Sequence, residues 1–232
     1  MRAAAVVVAG GAGLRFGGPI RKQYLEIGGV PVLLRALRPF LDHPRIASVV
    51  VVLPPGDVAD PPRWLADLPV TIVAGGVERG DSVLHGLRAV AVDVDRVLIH
   101  DGARPFVSPD VIDRVLDADG GAIAAVPVTD TIQQVDADGV ITSTPDRSTL
   151  WQAQTPQGFP RAALLDAYHR ARADGVAATD DAAVFARYAG PVRVVMGSHR
   201  NLKVTRPEDL PVAEALAASE ADSAPQFSHK NQ

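Results

Sequence analysis

Short apolar runs, rich in β-branched residues and apolar at nearly every position, alternate along this chain with stretches of helical spacing. The runs are Ala4–Val8, Ser48–Leu53, Val70–Ala74, Val97–His100, Ala122–Val126 and Val192–Met196. A strand without a polar face must be covered on both sides, which a parallel sheet flanked by helices provides. Helical patterns fall at Val32–Leu41, Ser82–Val92, Pro109–Asp117, Arg161–Asp174, Asp180–Tyr188 and Arg206–Ala218. Several carry a start signal: Pro31, Asp81-Ser82, Ser108-Pro109 and Thr205. The alternation predicts an α/β fold on an open, doubly wound, mostly parallel sheet, with ligands at the carboxyl ends of its strands. At 232 residues the chain suits one domain, expected over residues 1–218, with a flexible polar tail over 219–232.

One segment breaks the alternation. From Thr131 to Gln154 the chain reads as extended, with Asp136-Ala137-Asp138-Gly139 as a turn between Ile132–Val135 and Val140–Thr142. That is a β-hairpin signal. A lone hairpin is marginal in water, so this one must lie on its own domain or on a partner chain.

Composition excludes several functional classes. A net charge of −4 and a pI near 5.8 leave no basic field to draw nucleic acid or an anionic membrane. No uncharged stretch approaches the ~20 residues of a membrane span. The chain has no cysteine, which removes disulfides, thiolate nucleophiles and zinc–sulfur sites. The apolar run Ala3–Ala9 leads straight into Gly10-Gly11-Ala12-Gly13, so it reads as a buried strand and turn rather than a signal peptide. A cytoplasmic location is expected.

Positive charge is supplied by twenty arginines and only three lysines, Lys22, Lys203 and Lys230. A compact ammonium in a chain that otherwise uses arginine marks a place where a flexible point charge is wanted. Lys230 lies in the tail, which leaves Lys22 and Lys203. Lys22 follows Ala9-Gly10-Gly11-Ala12-Gly13-Leu14-Arg15, where glycines after a first strand let backbone N–H groups approach a phosphate. No Gly-Lys-Ser or Gly-Lys-Thr triplet exists, so this is not a P-loop. Phe16 stands at the third glycine of the dinucleotide fingerprint, and the second strand ends in Leu53-Pro54-Pro55 without an acid, which argues against NAD. A glycine loop carrying Arg15 and Lys22 suits a polyphosphate, whose transfer needs positioning and charge neutralisation.

Other candidates lie further along. Asp101, in His100-Asp101-Gly102-Ala103-Arg104-Pro105-Phe106, either meets a phosphate-bound Mg²⁺ or caps a turn and pairs with Arg104. His100 reads as a packed strand-end histidine, and no second histidine stands at zinc-ligand spacing. Thr131 and Arg147 suit a phosphomonoester and its hydroxyls; Trp151 and Phe159 read as packing residues. Thr179-Asp180-Asp181 reads first as a helix start. In Gly75-Gly76-Val77-Glu78-Arg79-Gly80-Asp81-Ser82, the Ser82 hydroxyl either caps the helix or reads a base edge.

Taken in order, these segments resemble one family. They are Ala9-Gly10-Gly11 with Arg15 and Lys22-Gln23-Tyr24-Leu25, Gly75 through Ser82, His100 through Phe106, Val126 through Ile132, Asp146-Arg147 through Phe159, Thr179-Asp180-Asp181, and Asn201 through Leu210. The chain is similar, from about Ala4 to Leu216, to the 2-C-methyl-D-erythritol 4-phosphate cytidylyltransferases. The resemblance implies a Rossmann-like nucleotidyltransferase fold in which the hairpin, at about 131–154, is an arm that clasps a second subunit in a homodimer. It implies transfer of a cytidylyl group from CTP to methylerythritol phosphate, with release of pyrophosphate and with Mg²⁺ required, in non-mevalonate isoprenoid precursor synthesis. Arg15, Lys22, Arg147 and Lys203 would be the catalytic cations, the first two acting on the pentacoordinate phosphorus. Ala9, Gly10, Gly11 and Gly13 would cradle CTP, Gly76 and Ser82 would read the cytosine, and Asp101 would lie near nucleotide and metal. Arg104, Thr131 and Thr155 would bind the phosphorylated polyol, with Thr131 and Arg147 serving the partner's site.

The chain departs from the family pattern at Val8 and Arg21, where many members have proline, and at Val77, where many have aspartate. Val8-Ala9-Gly10-Gly11 is shared with the sister family that acts on ribitol 5-phosphate, whereas Gly102-Ala103 and Arg147-Ser148-Thr149-Leu150-Trp151 side with the methylerythritol enzymes. Ribitol 5-phosphate or another sugar phosphate is the alternative acceptor, and a catalytically silent nucleotide sensor is a further alternative.

Overall fold

The computed structural model describes residues 1–11, 21–177 and 180–223. Its strands are β1 (Ala3–Val8), β2 (Glu26–Ile27), β3 (Val30–Pro31), β4 (Ile46–Leu53), β5 (Val70–Ala74), β6 (Arg96–Asp101), β7 (Gly121–Pro127), β8 (Gln134–Val135), β9 (Ile141–Ser143), β10 (Trp151–Pro160) and β11 (Val192–Met196). Helices α1 (Val32–Leu41), α2 (Arg63–Ala66), α3 (Arg79–Ala89), α4 (Pro109–Asp117), α5 (Arg161–Ala173), α6 (Asp181–Tyr188) and α7 (Asp209–Ser223) lie between and after them.

A seven-stranded sheet runs in the order β11-β7-β10-β6-β1-β4-β5. Its neighbours are parallel, except that β10 is antiparallel to both β6 and β7. The first strand shows why the sheet is covered on both faces. Ala4 and Val6 pack with Leu84, Leu87 and Leu164 on one side, while Ala3, Ala5 and Val7 pack with Leu33, Leu37 and Ile112 on the other. From β1 the chain builds β4 and β5 to one side, then crosses to β6 on the other. The reversal opens a crevice at the carboxyl ends of β1 and β6, where open α/β sheets hold their ligands.

Strand β10 is absent from the runs that periodicity predicts. It contains Pro156 and Gly158, residues that normally weaken a strand, and three glutamines. The register shifts between Ala153 and Gln157, so Pro156 sits where the ladder asks for no N–H. A Cβ on Gly158 would lie 2.5 Å from Val115 Cγ1, so glycine is what lets α4 close on the strand.

Two helices also run between other limits than their spacing predicts. Helix α3 starts about one turn before Ser82, because Glu78 and Asp81 cap reciprocally, with Glu78 N–H donating to Asp81 Oδ2 at 3.2 Å. Helix α7 starts at Asp209, whose carboxylate accepts the backbone N–H groups of Thr205 and Arg206. It continues to Ser223, past the expected boundary at 218, with Ala213 and Ala217 packed against Ile27, Val32 and Val204. Residues 224–232 lie outside the described residues.

Strands β8 and β9 pair antiparallel outside the main sheet. Asp136 Oδ1 closes their turn by accepting N–H groups from Asp138 and Val140. Val135, Val140 and Ile141 stay exposed on this chain. Among the described residues no helix is long and apolar enough to cross a membrane.

Candidate active site

The crevice between β1 and β6 holds a cavity of about 240 Å³. Ala9, Gly10 and Gly11 line one side, where β1 ends; Gly76, Arg79 and Ser82 line another; Lys22, Asp101 and Lys203 complete it. A second cavity of about 160 Å³ shares Arg79, Asp101 and Lys203 with the first and is closed by Arg104, Gln154 and Thr155. The two spaces thus meet across a wall of one carboxylate and two cations.

Local structure explains how each group is held. Ala9 N–H donates to Val52 O at 2.8 Å, and its carbonyl accepts the buried Gln23 amide at 3.0 Å, so the start of the glycine loop is pinned from two sides. Ser82 is 4% exposed; its hydroxyl donates to Glu78 O and accepts Gly76 N–H at 3.1 Å. It therefore shapes the cavity wall as well as lining it. A Cβ on Gly76 would lie 2.2 Å from Asp81 Cβ, so only glycine lets this loop fold over the helix start.

Both rare lysines reach the cavity. Lys22 Nζ donates to Val204 O at 3.2 Å. Lys203 Nζ lies 2.6 Å from Asp101 Oδ2. The segment carrying Lys203 is fastened beside β6 by Val204 N–H, which donates to Ala103 O at 2.8 Å. The chain's two spared lysines therefore come from opposite ends of the sequence to one crevice.

Charge is concentrated around Asp101, which is 9% exposed. Burial alone would raise its carboxyl, but the adjacent Arg79 and Lys203 outweigh that and hold it well below the usual carboxylate range. Burial pulls Arg104 below the usual guanidinium range, against the pull of Asp101. Its Nη1 donates to Asn201 O at 2.8 Å. His100, fully buried, is lowered to about 4 by desolvation. Its two nitrogens are both engaged: Thr155 Oγ1 lies 3.0 Å from Nδ1 and Arg104 O lies 3.1 Å from Nε2. The same Thr155 hydroxyl accepts Asp101 N–H at 3.0 Å. The neutral tautomer with hydrogen on Nε2 satisfies the whole chain, so His100 is a packed strand-end residue with no proton to trade.

Not every sequence candidate gathers here. Gly13, Arg15 and Thr179 lie outside the described residues. Thr131 and Arg147 are exposed beside the hairpin strands, with Arg147 Nη1 donating to Thr129 O at 3.0 Å, and neither lines the two cavities. Thr155 lines the second cavity, but its hydroxyl is committed to Asp101 and His100.

Arg79 stands in no motif that marks it out, yet it faces both cavities and pairs with Asp101 and Asp181. One signal exists: a cation in the first turn of a helix opposes the macrodipole and calls for an acid nearby. Gln154 is also buried and lines the second cavity; the buried Asn201 supports it from behind, its Nδ2 donating to Thr155 O at 2.8 Å.

As for metal ligands, no three carboxylate or imidazole side chains cluster among the described residues. Mg²⁺ needs no such cage, since it commonly takes one or two carboxylates and completes its shell with substrate phosphates and water. The single carboxylate of Asp101, at the cavity edge, fits that donor set.

Comparison with known proteins identifies the family. The family described as IspD, 2-C-methyl-D-erythritol 4-phosphate cytidylyltransferase, matches residues 3–219. A 2-C-methyl-D-erythritol 4-phosphate cytidylyltransferase of Geobacter metallireducens is 43% identical over 223 residues, covering 91% of this chain and 96% of its own length. One from Syntrophus aciditrophicus is 44% identical over 225 residues, covering 93% and 96%. The crystal structure of the Thermus thermophilus enzyme of that name superposes with a TM-score of 0.79 at 36% identity, covering 94% of this chain and 100% of that one. With a family match over nearly its whole length, the chain belongs to the 2-C-methyl-D-erythritol 4-phosphate cytidylyltransferase family.

Proposed function

We propose that this enzyme transfers the cytidylyl group of CTP to 2-C-methyl-D-erythritol 4-phosphate, releasing pyrophosphate, as a step of non-mevalonate isoprenoid precursor synthesis in the cytoplasm. The observation that carries this reading is the pair of cavities sharing Arg79, Asp101 and Lys203, one walled by the glycine loop and the other by Arg104. A nucleotide in the first and a phosphorylated polyol in the second would meet at that shared wall.

The acceptor phosphate attacks the α-phosphorus, the new P–O bond forms, and the bond to pyrophosphate breaks. That phosphate is already ionised at neutral pH, so no general base is required, in keeping with an imidazole at His100 whose nitrogens are both occupied. Lys22, with Arg15 from the glycine loop, neutralises charge on the reacting phosphorus. Lys203 and Arg104 hold the acceptor phosphate, and Thr155 acts behind them by fixing Asp101 and His100. Gly76 and Ser82 take the cytosine. Mg²⁺ would be held by Asp101 together with the nucleotide phosphates and would offset their negative charge.

The exposed apolar residues of the hairpin support a homodimer in which each hairpin lies on the other subunit, delivering Thr131 and Arg147 to the partner's acceptor cavity. Pyrophosphate release from CTP and Mg²⁺, followed in parallel with methylerythritol phosphate and ribitol 5-phosphate, tests the whole reading. A higher kcat/KM with ribitol 5-phosphate would move the acceptor. Silence with both, despite CTP binding, would make the chain a nucleotide sensor.

A further inference from the structure

We infer that Asp181, backed by Tyr168, is a positioning residue for the active site: it anchors Arg79 so that the guanidinium stands beside Asp101 without closing on it. The inference rests on the cytidylyl-transfer reading above, and it concerns residues that line neither substrate cavity except through Arg79.

Asp181 is the first residue of α6 and has no exposed surface. Its two oxygens accept Arg79 Nη1 at 3.1 Å and Nη2 at 2.8 Å, a fork-on-fork pairing. The Tyr168 hydroxyl donates to Oδ1 of the same carboxylate. Arg79 reaches Asp101 Oδ1 only at 3.4 Å from Nε and 3.3 Å from Nη2. The guanidinium is thus shared unequally, held firmly behind the site and loosely within it.

The anchor cannot swing to follow its partner. Asp180 Oδ2 accepts Ala183 N–H, Asp180 Oδ1 accepts the Gln157 amide at 2.9 Å, and Gln157 Oε1 accepts Ala182 N–H at 3.1 Å, which ties the start of α6 to β10. Two electrostatic features favour the arrangement. Asp181 sits in the first turn of its helix, where a carboxylate is welcome, and Arg79 sits in the first turn of α3, where an uncompensated cation is not.

Without the Asp181 charge, Asp101 becomes the one anionic partner of Arg79 among the described residues. The guanidinium then closes on Asp101, competing with Lys203 and with a metal-bound nucleotide for the same carboxylate. With the anchor in place, the long Arg79–Asp101 contacts yield readily when CTP and Mg²⁺ enter.

The test uses Asp181→Asn and Tyr168→Phe, each in the native and the Arg79→Met backgrounds. Asp181→Asn should raise KM for Mg²⁺–CTP about tenfold with kcat within about threefold of wild type. Tyr168→Phe, which keeps the charge, should raise it about two- to threefold and serves as the readout if Asp181→Asn does not fold. In the Arg79→Met background neither substitution should add to the loss, because both act through that guanidinium. A crystal structure of a folded variant should show Arg79 shifted onto Asp101. Unchanged KM, losses that add fully to Arg79→Met, or an unmoved guanidinium would each overturn the anchor. A wild-type enzyme that releases no pyrophosphate would overturn the functional reading instead, and the guanidinium position and calorimetric Mg²⁺–CTP binding would still decide the anchor.

Discussion

His100 should make this fold sensitive to mild acid. The imidazole has no exposed surface and lies 4.9 Å, centroid to centroid, from the Phe40 ring. Its folded value is lowered to about 4 from 6.5, chiefly by burial. Between those two values the unfolded chain binds a proton that the folded chain refuses, so stability rises with pH across the window and is lost as pH falls through it. The difference amounts to about 3 kcal/mol in full, at roughly 1.4 kcal/mol for each pH unit of that window. Protonating Nδ1 also removes the acceptor for the Thr155 hydroxyl, which in turn holds the Asp101 backbone. Guanidinium chloride unfolding of the wild type and of His100→Gln, from pH 7.5 to 4, isolates the contribution from that of the other histidines. The wild-type profile should fall more steeply than that of the variant by about 2–3 kcal/mol across this range; at lower pH the His100 contribution is complete, and stability continues to fall as Asp101, held low by Arg79 and Lys203, loses its own stabilisation. Parallel profiles for the two proteins would refute the reasoning.

Lys22→Ala should lower kcat on the order of 10²–10³ with a smaller effect on CTP binding, by analogy with losing one oxyanion donor; near-normal turnover in steady-state assay would remove Lys22 from the chemistry. Arg147→Ala should raise KM for the polyol phosphate. If Arg147 serves the partner's site, mixing Arg147→Ala with Lys22→Ala subunits, assayed at polyol phosphate well below the raised KM where each variant alone is nearly silent, should restore about a quarter of wild-type activity, because half the dimers then carry one intact site. Mixtures as dead as their components would place Arg147 in its own subunit's site or in folding. Phe159→Ala should cost about 3–5 kcal/mol in denaturant unfolding, since the ring is fully buried and lies tilted against Phe185, 4.9 Å between centroids; a loss under about 1 kcal/mol would mean the core collapses around the gap.

What was legible from residues alone was whatever depends on near neighbours in the chain. A strand such as Val97–His100 announces itself because nearly every side chain is apolar, and burial on both faces is the one way to keep it from water. The glycines after Val8 and the two lysines in an arginine-rich chain carry their chemistry in composition and spacing. Even His100 was readable as a packing residue, since no second ligand stood near it. What the local pattern hid was any feature whose cause lies across the fold. Strand β10 escapes the periodic runs because its proline falls in a register shift and its glycine faces Val115, facts that exist only once β6, β7 and α4 have closed around it. Arg79 looks like a solvated helix-start cation until Asp181, 102 residues away, meets it. Lys203 reaches Asp101 only because Val204 docks on Ala103. Local spacing and composition set the layered α/β class and the stock of phosphate-binding groups. The tertiary structure alone decided which of those groups converge, because an ion pair between distant residues is set by the order in which strands pack side by side, and no local propensity encodes that order.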